Sequence, residues 1–368
     1  MKRLAFAAAV LTAAVAGAWQ QAPGMKTPWG EKVTPENAWR EYPRPQMARD
    51  AWTNLNGLWQ YAITRDAPGV PKAWDGEILV PFVIESPLSG VGRLLEPQET
   101  LWYRRSFDAD VQPGTRLLLH FEQADFRAMV FVNGVEAGVP HEGGQMPFTY
   151  DVTDLVRKGA NELVVSVWDP TTDFIGSHGK QTFRPHGCMY TRSSGIGVTV
   201  WLETVPATHI ADYRVSTDID AGTVRFEFDV AGGRFAKPEV RVSVLCDGGN
   251  AVATTKDGVA IVKMPAGFKL WSPESPALYN FTATCGDDAV KGYFGMRKIE
   301  KRKDAKGVLR FFLNNEPYFV MGTLDQGWWP DGLLTPPSDE AMAYDIQVLK
   351  DCGFNTLRKH IKVEPLRY

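Results

Sequence analysis

Two short stretches near the C-terminus carry side chains suited to holding a hydroxyl-rich ligand. Asp325-Gln326-Gly-Trp328-Trp329 places a carboxylate and an amide beside two indoles. An aromatic face can stack on the apolar face of a pyranose while the carboxylate takes hydroxyl hydrogen bonds. The competing reading is that Trp328 and Trp329 pack their loop onto the rest of the protein, and both readings stay open here. Arg358 and His360 are two residues apart, so on a strand they share a face, with Leu357 on the other. Charged groups turned inward cost desolvation unless they are paired or used. That leaves a site role or a structural ion pair for them. His360 has no second ligand at metal-binding spacing, so no metal is expected. Asp339, Asp345 and Asp351 fall in a helical pattern and are expected to face water, while Glu364 lies in a loop beyond. None of these acids forms an acid/base pair. Phosphate loops, dinucleotide fingerprints and nucleophile elbows are missing, and no cofactor is called for.

The elements that would position these groups can be read around them. Tyr318-Phe-Val-Met-Gly322 reads as a buried strand. Ser338 reads as a helix N-cap, with Asp339 and Glu340 where the helix dipole favours negative charge. Met342, Ile346 and Leu349 make an apolar helix face, and Gly353 sits at the expected C-terminal stop. Phe354 to His360 reads as a second strand. Strand–helix–strand is a βαβ unit, which builds parallel sheets. A (β/α)8 barrel needs about 250 residues. Only 66 run from Lys303 to Tyr368. The expectation is therefore the start of a truncated TIM barrel, and a chain that is a fragment of a longer enzyme.

Upstream the pattern is all-β. Arg116–Phe121, Ala128–Val132, Asn161–Trp168 and Val198–Leu202 are strand-like runs, and Asn133-Gly134 marks a tight hairpin. They imply a β-sandwich or jelly roll over residues 49–205. A second set follows in 206–300, namely 213–217, 223–230, 239–245, 259–262, 279–284 and 290–295. It suits an immunoglobulin-like sandwich. Cys246 and Cys285 end two strands expected to pair antiparallel, which puts their sulfurs at opposite ends. Free, half-buried thiols are expected. Lys298 to Lys306 is basic but interleaved with Glu300 and Asp304, and reads as a solvated linker. Residues 301–368 hold this linker and the barrel start.

At the other end, Lys2-Arg3, an apolar run from Leu4 to Val15 and Ala16-Gly-Ala18 read as a signal peptide over residues 1–18. Export is expected, to periplasm or outside, with no membrane anchor. Residues 19–48 read as a lead segment laid over the surface. The net charge of −3 gives no long-range pull on phosphate, so nucleic acid is not an expected partner.

Several motifs then converge. Leu55-Asn-Gly-Leu-Trp59, Val80-Pro-Phe82, Glu85-Ser-Pro-Leu-Ser-Gly90, Leu101-Trp-Tyr-Arg-Arg-Ser-Phe107, Val132-Asn-Gly134 and Ser194-Gly-Ile196 stand in order. Leu270-Trp-Ser-Pro-Glu-Ser-Pro-Ala-Leu-Tyr279, Phe294-Gly-Met-Arg297 and Leu313-Asn-Asn-Glu-Pro317 continue the series. Together they resemble glycoside hydrolase family 2, the family of exo-acting β-galactosidases, β-glucuronidases and β-mannosidases. The resemblance implies a jelly-roll sugar-binding domain, an immunoglobulin-like domain and a barrel. It implies a retaining exo-β-glycosidase, with β-galactosidase as the expected specificity, acting on oligo- or polysaccharide without cofactor. Its two catalytic Glu residues are expected beyond residue 368, and oligomerisation is left open. It also brings the late loop of the first domain, with Tyr190 and Arg192, toward the barrel mouth, either as sugar contacts or as an interdomain contact. Two positions depart from the family pattern. Gly197 stands where a Trp is usual, and Met189 stands where some relatives carry a sugar-contacting Asp. A non-catalytic carbohydrate-binding module of two sandwiches is the alternative, although such a module would not need the βαβ start.

Overall fold

The computed structural model describes residues 19–65, 69–172, 176–232 and 238–368. The signal-peptide reading of 1–18 falls outside them. Mainly β structure fills the described chain, in two sandwiches and a smaller C-terminal part.

The first sandwich packs a four-stranded sheet against a seven-stranded one. Thr115–Phe121 lies between Val200–Pro206 and Phe148–Asp151 in the first sheet. Glu99–Ala109 lies between Gly57–Arg65 and Gly159–Trp168 in the second. Alternation along these strands explains the layering, since Leu101, Tyr103, Leu163, Val165, Leu117 and Leu119 all turn into one core. Each fully buried side chain of this kind contributes about 1.5–3 kcal/mol. Asn133 and Gly134, both with positive φ (51° and 81°), close the hairpin that pairs Val132 with Val135. A two-residue loop with that geometry matches the twist of its strands.

The second sandwich sets the sheet of His209–Asp218, Thr223–Ala231 and Val259–Lys263 against Gly249–Thr254, Arg241–Cys246, Tyr279–Cys285 and Asp288–Phe294. Gly249–Thr254 is a strand the sequence pattern did not disclose. It is an edge strand whose residues are exposed or half-exposed, so no apolar alternation marks it. Cys246 and Cys285 are free thiols at opposite ends of an antiparallel pair, and both are buried rather than half-buried.

The C-terminal part corrects four expectations. The basic run is no linker. Ile299–Lys303 pairs with Leu309–Leu313, and its charges are matched locally, as with Arg302–Glu300 and Lys298–Asp220. The strand expected at 318–322 instead spans Gly322–Asp325, and Phe319, Val320 and Met321 are exposed at 75%, 43% and 48%. Apolar character alone did not produce burial here. On the helix Asp339–Asp351, Ser338 caps the N-terminus as read, but only Met342 of the apolar face is buried while Ile346 is exposed. Asp339 does not simply face water, because Arg367 grips both of its carboxylate oxygens. The strands Gly322–Asp325 and Thr356–Lys359 do pair in parallel, Asp325 opposite Lys359.

Residues 19–48 run over the surface and also build a small core of their own. Val33, Ala38 and Trp39 pack with Leu79, Phe82, Leu88 and Met342, which ties the first sandwich to the helix. Asp331, fully buried, accepts hydrogen bonds from the Thr27 N–H at 2.8 Å and the Thr27 hydroxyl at 2.6 Å. Gly30 must be glycine here, since a Cβ would stand 1.9 Å from the Asp331 carboxylate.

Candidate functional site

The loop from Gly176 to Arg192 leaves the first sandwich and reaches the C-terminal part. Buried polar groups hold its base. Gln181 donates to Asp125 at 2.9 Å and accepts from the Ser193 N–H at 2.7 Å, while Ser194 donates its hydroxyl to Asp169 at 2.7 Å and its N–H to Glu85 at 2.8 Å. Burial raises the pKa of all three acids, and Glu85 is pushed up to about 8. Gln181–Thr182 and Tyr190–Thr191 then pair in parallel, which fixes Tyr190 at the loop's rim.

Tyr190 meets Trp328 there. Their rings stack at 4.5 Å, 16° from parallel. Trp328 therefore stands in a wall built by two parts of the chain, and its buried indole N–H has no partner among the described residues. The buried Gln326 Oε1 is likewise unpartnered. Such groups are costly unless something satisfies them. Trp329 goes the other way. It is 9% exposed, and its backbone bonds reciprocally with Leu333, so it packs the loop. Arg192 also turns away from the rim. It is buried, pairs with Glu96 at 3.0 Å and lies over Phe183.

Asp325 ends its strand beside Lys359, 2.5 Å away. The same ammonium lies 2.6 Å from Glu364 and 4.6 Å from the Tyr368 ring centre. Glu364 in turn pairs with Lys362 at 3.0 Å, and Lys362 donates to the Gly327 carbonyl at 2.8 Å. Gly327, with φ +63°, permits this closeness, because a Cβ would stand 2.5 Å from Glu364 and 2.9 Å from the Lys362 ammonium. The sequence reading missed Lys359, Lys362, Glu364 and Tyr368 as members of the site. The available signal was the mixed-sign series Lys359, Lys362 and Glu364 at and just beyond the end of a strand. Glu364, expected in the loop beyond the second strand, pairs there with the two ammonium groups.

Arg358 and His360 share the strand face opposite Lys359 and do not join the Asp325 cluster. Arg358 lies across from Leu324 and is exposed. His360 donates its backbone N–H to the Asp325 carbonyl. Desolvation and the charges of Arg358 and Lys180 lower its pKa. Asp345 is exposed as expected, but crowding and the Asp325 carboxylate raise its pKa.

Asp325 and Glu364 share one ammonium, so their paired oxygens lie no more than about 5 Å apart. Retaining hydrolysis uses carboxylates at about 5–5.5 Å. Here both carboxylates are committed to an ion pair with the Lys359 ammonium.

The model for "Glycosyl hydrolases family 2" matches residues 208–297, and that for "Beta-galactosidase second all-beta domain" matches residues 86–173. This chain is a relative of the family 2 glycosyl hydrolases. It is 27% identical to a β-galactosidase of Thermoanaerobacter pseudethanolicus over 277 residues, 70% of this chain and 36% of that enzyme. It is 28% identical to human β-glucuronidase over 335 residues, 76% of this chain and 49% of that enzyme. Among solved structures, a β-glucuronidase from an uncultured Clostridium aligns with TM-score 0.65 and 23% identity, over 84% of this chain and 55% of that one. A Ruminococcus gnavus β-glucuronidase aligns with TM-score 0.67 and 20% identity, over 87% and 57%. The chain thus spans about a third to a half of the length of the curated relatives it matches.

Proposed function

We propose that this chain forms the substrate-facing first part of an exported, retaining exo-β-glycosidase that removes terminal β-linked galactose or glucuronic acid. The stacking of Tyr190 on Trp328 carries the reading. It joins a loop of the first sandwich to the loop at the C-terminal ends of two parallel strands, where barrel enzymes bind substrate. Trp328 presents the aromatic surface, and Gln326 and Asp325 the hydroxyl-binding groups. The relationship to β-galactosidases and β-glucuronidases supports the substrate class. Further strands completing the barrel would cover Phe319, Val320 and Met321 and supply both catalytic carboxylates.

The reading has direct tests. The purified 368-residue chain is expected to leave aryl β-galactosides and β-glucuronides intact, and turnover would refute it. A reading frame continuing past codon 368, with two Glu codons at later barrel-strand ends, is expected, and an immediate stop codon would count against it. Trp328→Ala is expected to weaken binding of neutral oligosaccharides by about twofold to twelvefold, as loss of an aromatic contact worth about 0.5–1.5 kcal/mol implies. Calorimetric titration reads that change. Export is checked by sequencing the secreted protein's N-terminus, which is expected to be Trp19.

A further inference from the structure

The loop that carries Tyr190 stands on three buried acids for which the carbohydrate reading has no use. Glu85 accepts the Leu95 and Ser194 N–H groups at 3.3 and 2.8 Å. Asp169 accepts the Thr171 N–H at 2.6 Å and the Ser194 hydroxyl at 2.7 Å, and Asp125 accepts the Gln181 amide at 2.9 Å. These donors are all uncharged. A buried carboxyl without a paired cation keeps its proton. The ionisable groups facing the three acids are Tyr103, whose hydroxyl oxygen accepts the Ile196 N–H, and Arg192 and His178, whose charges act on Asp169.

Arg192 makes this more than a cluster of acids. It is 4% exposed, Glu96 holds its Nη2, and its Nε and Nη1 have no hydrogen-bond partner among the described residues. The buried hydroxyls of Ser193 and Thr171 are likewise unpartnered. Ionisation of Asp169 would offer the guanidinium the acceptor it lacks, so the loop has a second arrangement to adopt. Arg192 lies two residues from Tyr190, and a shift of one moves the other off Trp328.

We propose that Glu85, Asp125 and Asp169 form a proton-operated latch. While they hold their protons, Gln181 and Ser194 stay tied to the first sandwich and Tyr190 stays against Trp328. When they ionise, residues 176–192 are released. The latch itself is independent of the ligand, and its effect on sugar binding rests on the carbohydrate reading. The sign follows from linkage. An acid that is neutral when buried and ionised when exposed favours the open loop as pH rises, by about tenfold per pH unit for each proton released. Burial pushes Glu85 up from 4.5 to about 8, which sets the window.

Hydrogen exchange of the full chain tests the latch, read by mass spectrometry and corrected for the intrinsic pH dependence of amide exchange. Protection of residues 190–194 is expected to fall by about tenfold or more per pH unit between about pH 5.5 and 7.5. Protection of Thr223–Ala231 in the second sandwich is expected to stay level. E85Q and D125N, examined separately, are each expected to lessen the slope. E122Q, which alters another buried acid whose pKa burial raises, is expected to leave it unchanged. A level profile in the parent overturns the proposal without any variant, as does an equal fall in the second sandwich or an equal loss of slope in E122Q. If the profile is level while W328A still weakens binding of neutral oligosaccharides, the latch fails alone. If it is steep while the parent binds no oligosaccharide at about pH 5.5, the latch stands and the carbohydrate reading fails.

Discussion

Replacing Arg49 by Met should separate the two sandwiches energetically. Arg49 is 7% exposed and sits at their junction. Its Nε and Nη2 each lie 2.9 Å from an oxygen of Asp288 in the second sandwich, Nη2 donates to the Ile210 carbonyl at 2.6 Å, and Nη1 lies 3.2 Å from Glu203 in the first. Glu203 would keep Arg44 at 3.1 Å and the Tyr42 hydroxyl. Asp288, 2% exposed, would keep the Ile210 N–H and lose its cation. Removing one member of a buried pair costs about 3–5 kcal/mol. Because Glu203 retains a partner, the lower end, about 3 kcal/mol, is the expected cost. At about 2–4 °C per kcal/mol for domains of 150–250 residues, the first calorimetric transition should fall by about 6–12 °C at pH 7. D288N relieves the stranded charge, so R49M/D288N should lose clearly less than the two single variants combined. An R49M transition within 1 °C of the parent, or strict additivity in the double variant, would refute the reasoning. Acid should act on the same knot. Burial pushes Glu203 up, but the His120 hydrogen bond and the Arg44 and Arg49 charges outweigh it and hold its pKa at about 2. A depressed carboxylate adds stability above its ordinary pKa that is lost as pH falls from about 4.5 toward 2.

Two other perturbations probe the supports of the candidate site. Glu85, with its pKa pushed up to about 8, costs the fold more as pH rises from about 4.5 to 8, since the native state holds its proton longer than the unfolded chain. E85Q should flatten the fall of melting temperature over that range, and an unchanged pH profile would contradict the assignment. D331A removes the acceptor of both Thr27 hydrogen bonds, each worth about 1.5–3 kcal/mol for a charged group. Limited proteolysis should then cut residues 19–31 faster than in the parent, and equal rates would show that the lead segment is held elsewhere.

Local chemistry made much of the architecture readable. Leu163, Val165 and Val167 share one sheet face and turn into one core, so burial of that face fixed the strand and its register. Asn133-Gly134 specified its hairpin because both residues accept positive φ. Ser338 and Gly353 bounded the helix through its unsatisfied backbone groups. Each is an interaction between residues near in the chain, and Asp325 and Trp328 were found in the same way, from side-chain type and neighbours.

The partners were not readable. Trp328 faces Tyr190, 138 positions earlier, and Arg192 of the basic stretch turns into a buried pair with Glu96. Lys359 links Asp325 to Glu364 only because two parallel strands bring positions 34 apart into register. Trp328 and Trp329 are adjacent and identical in type, yet one walls the site and the other packs its loop. Residue type sets what a side chain can do, whereas desolvation, pairing and exposure depend on surfaces brought together from distant sequence, and those were decided by tertiary packing.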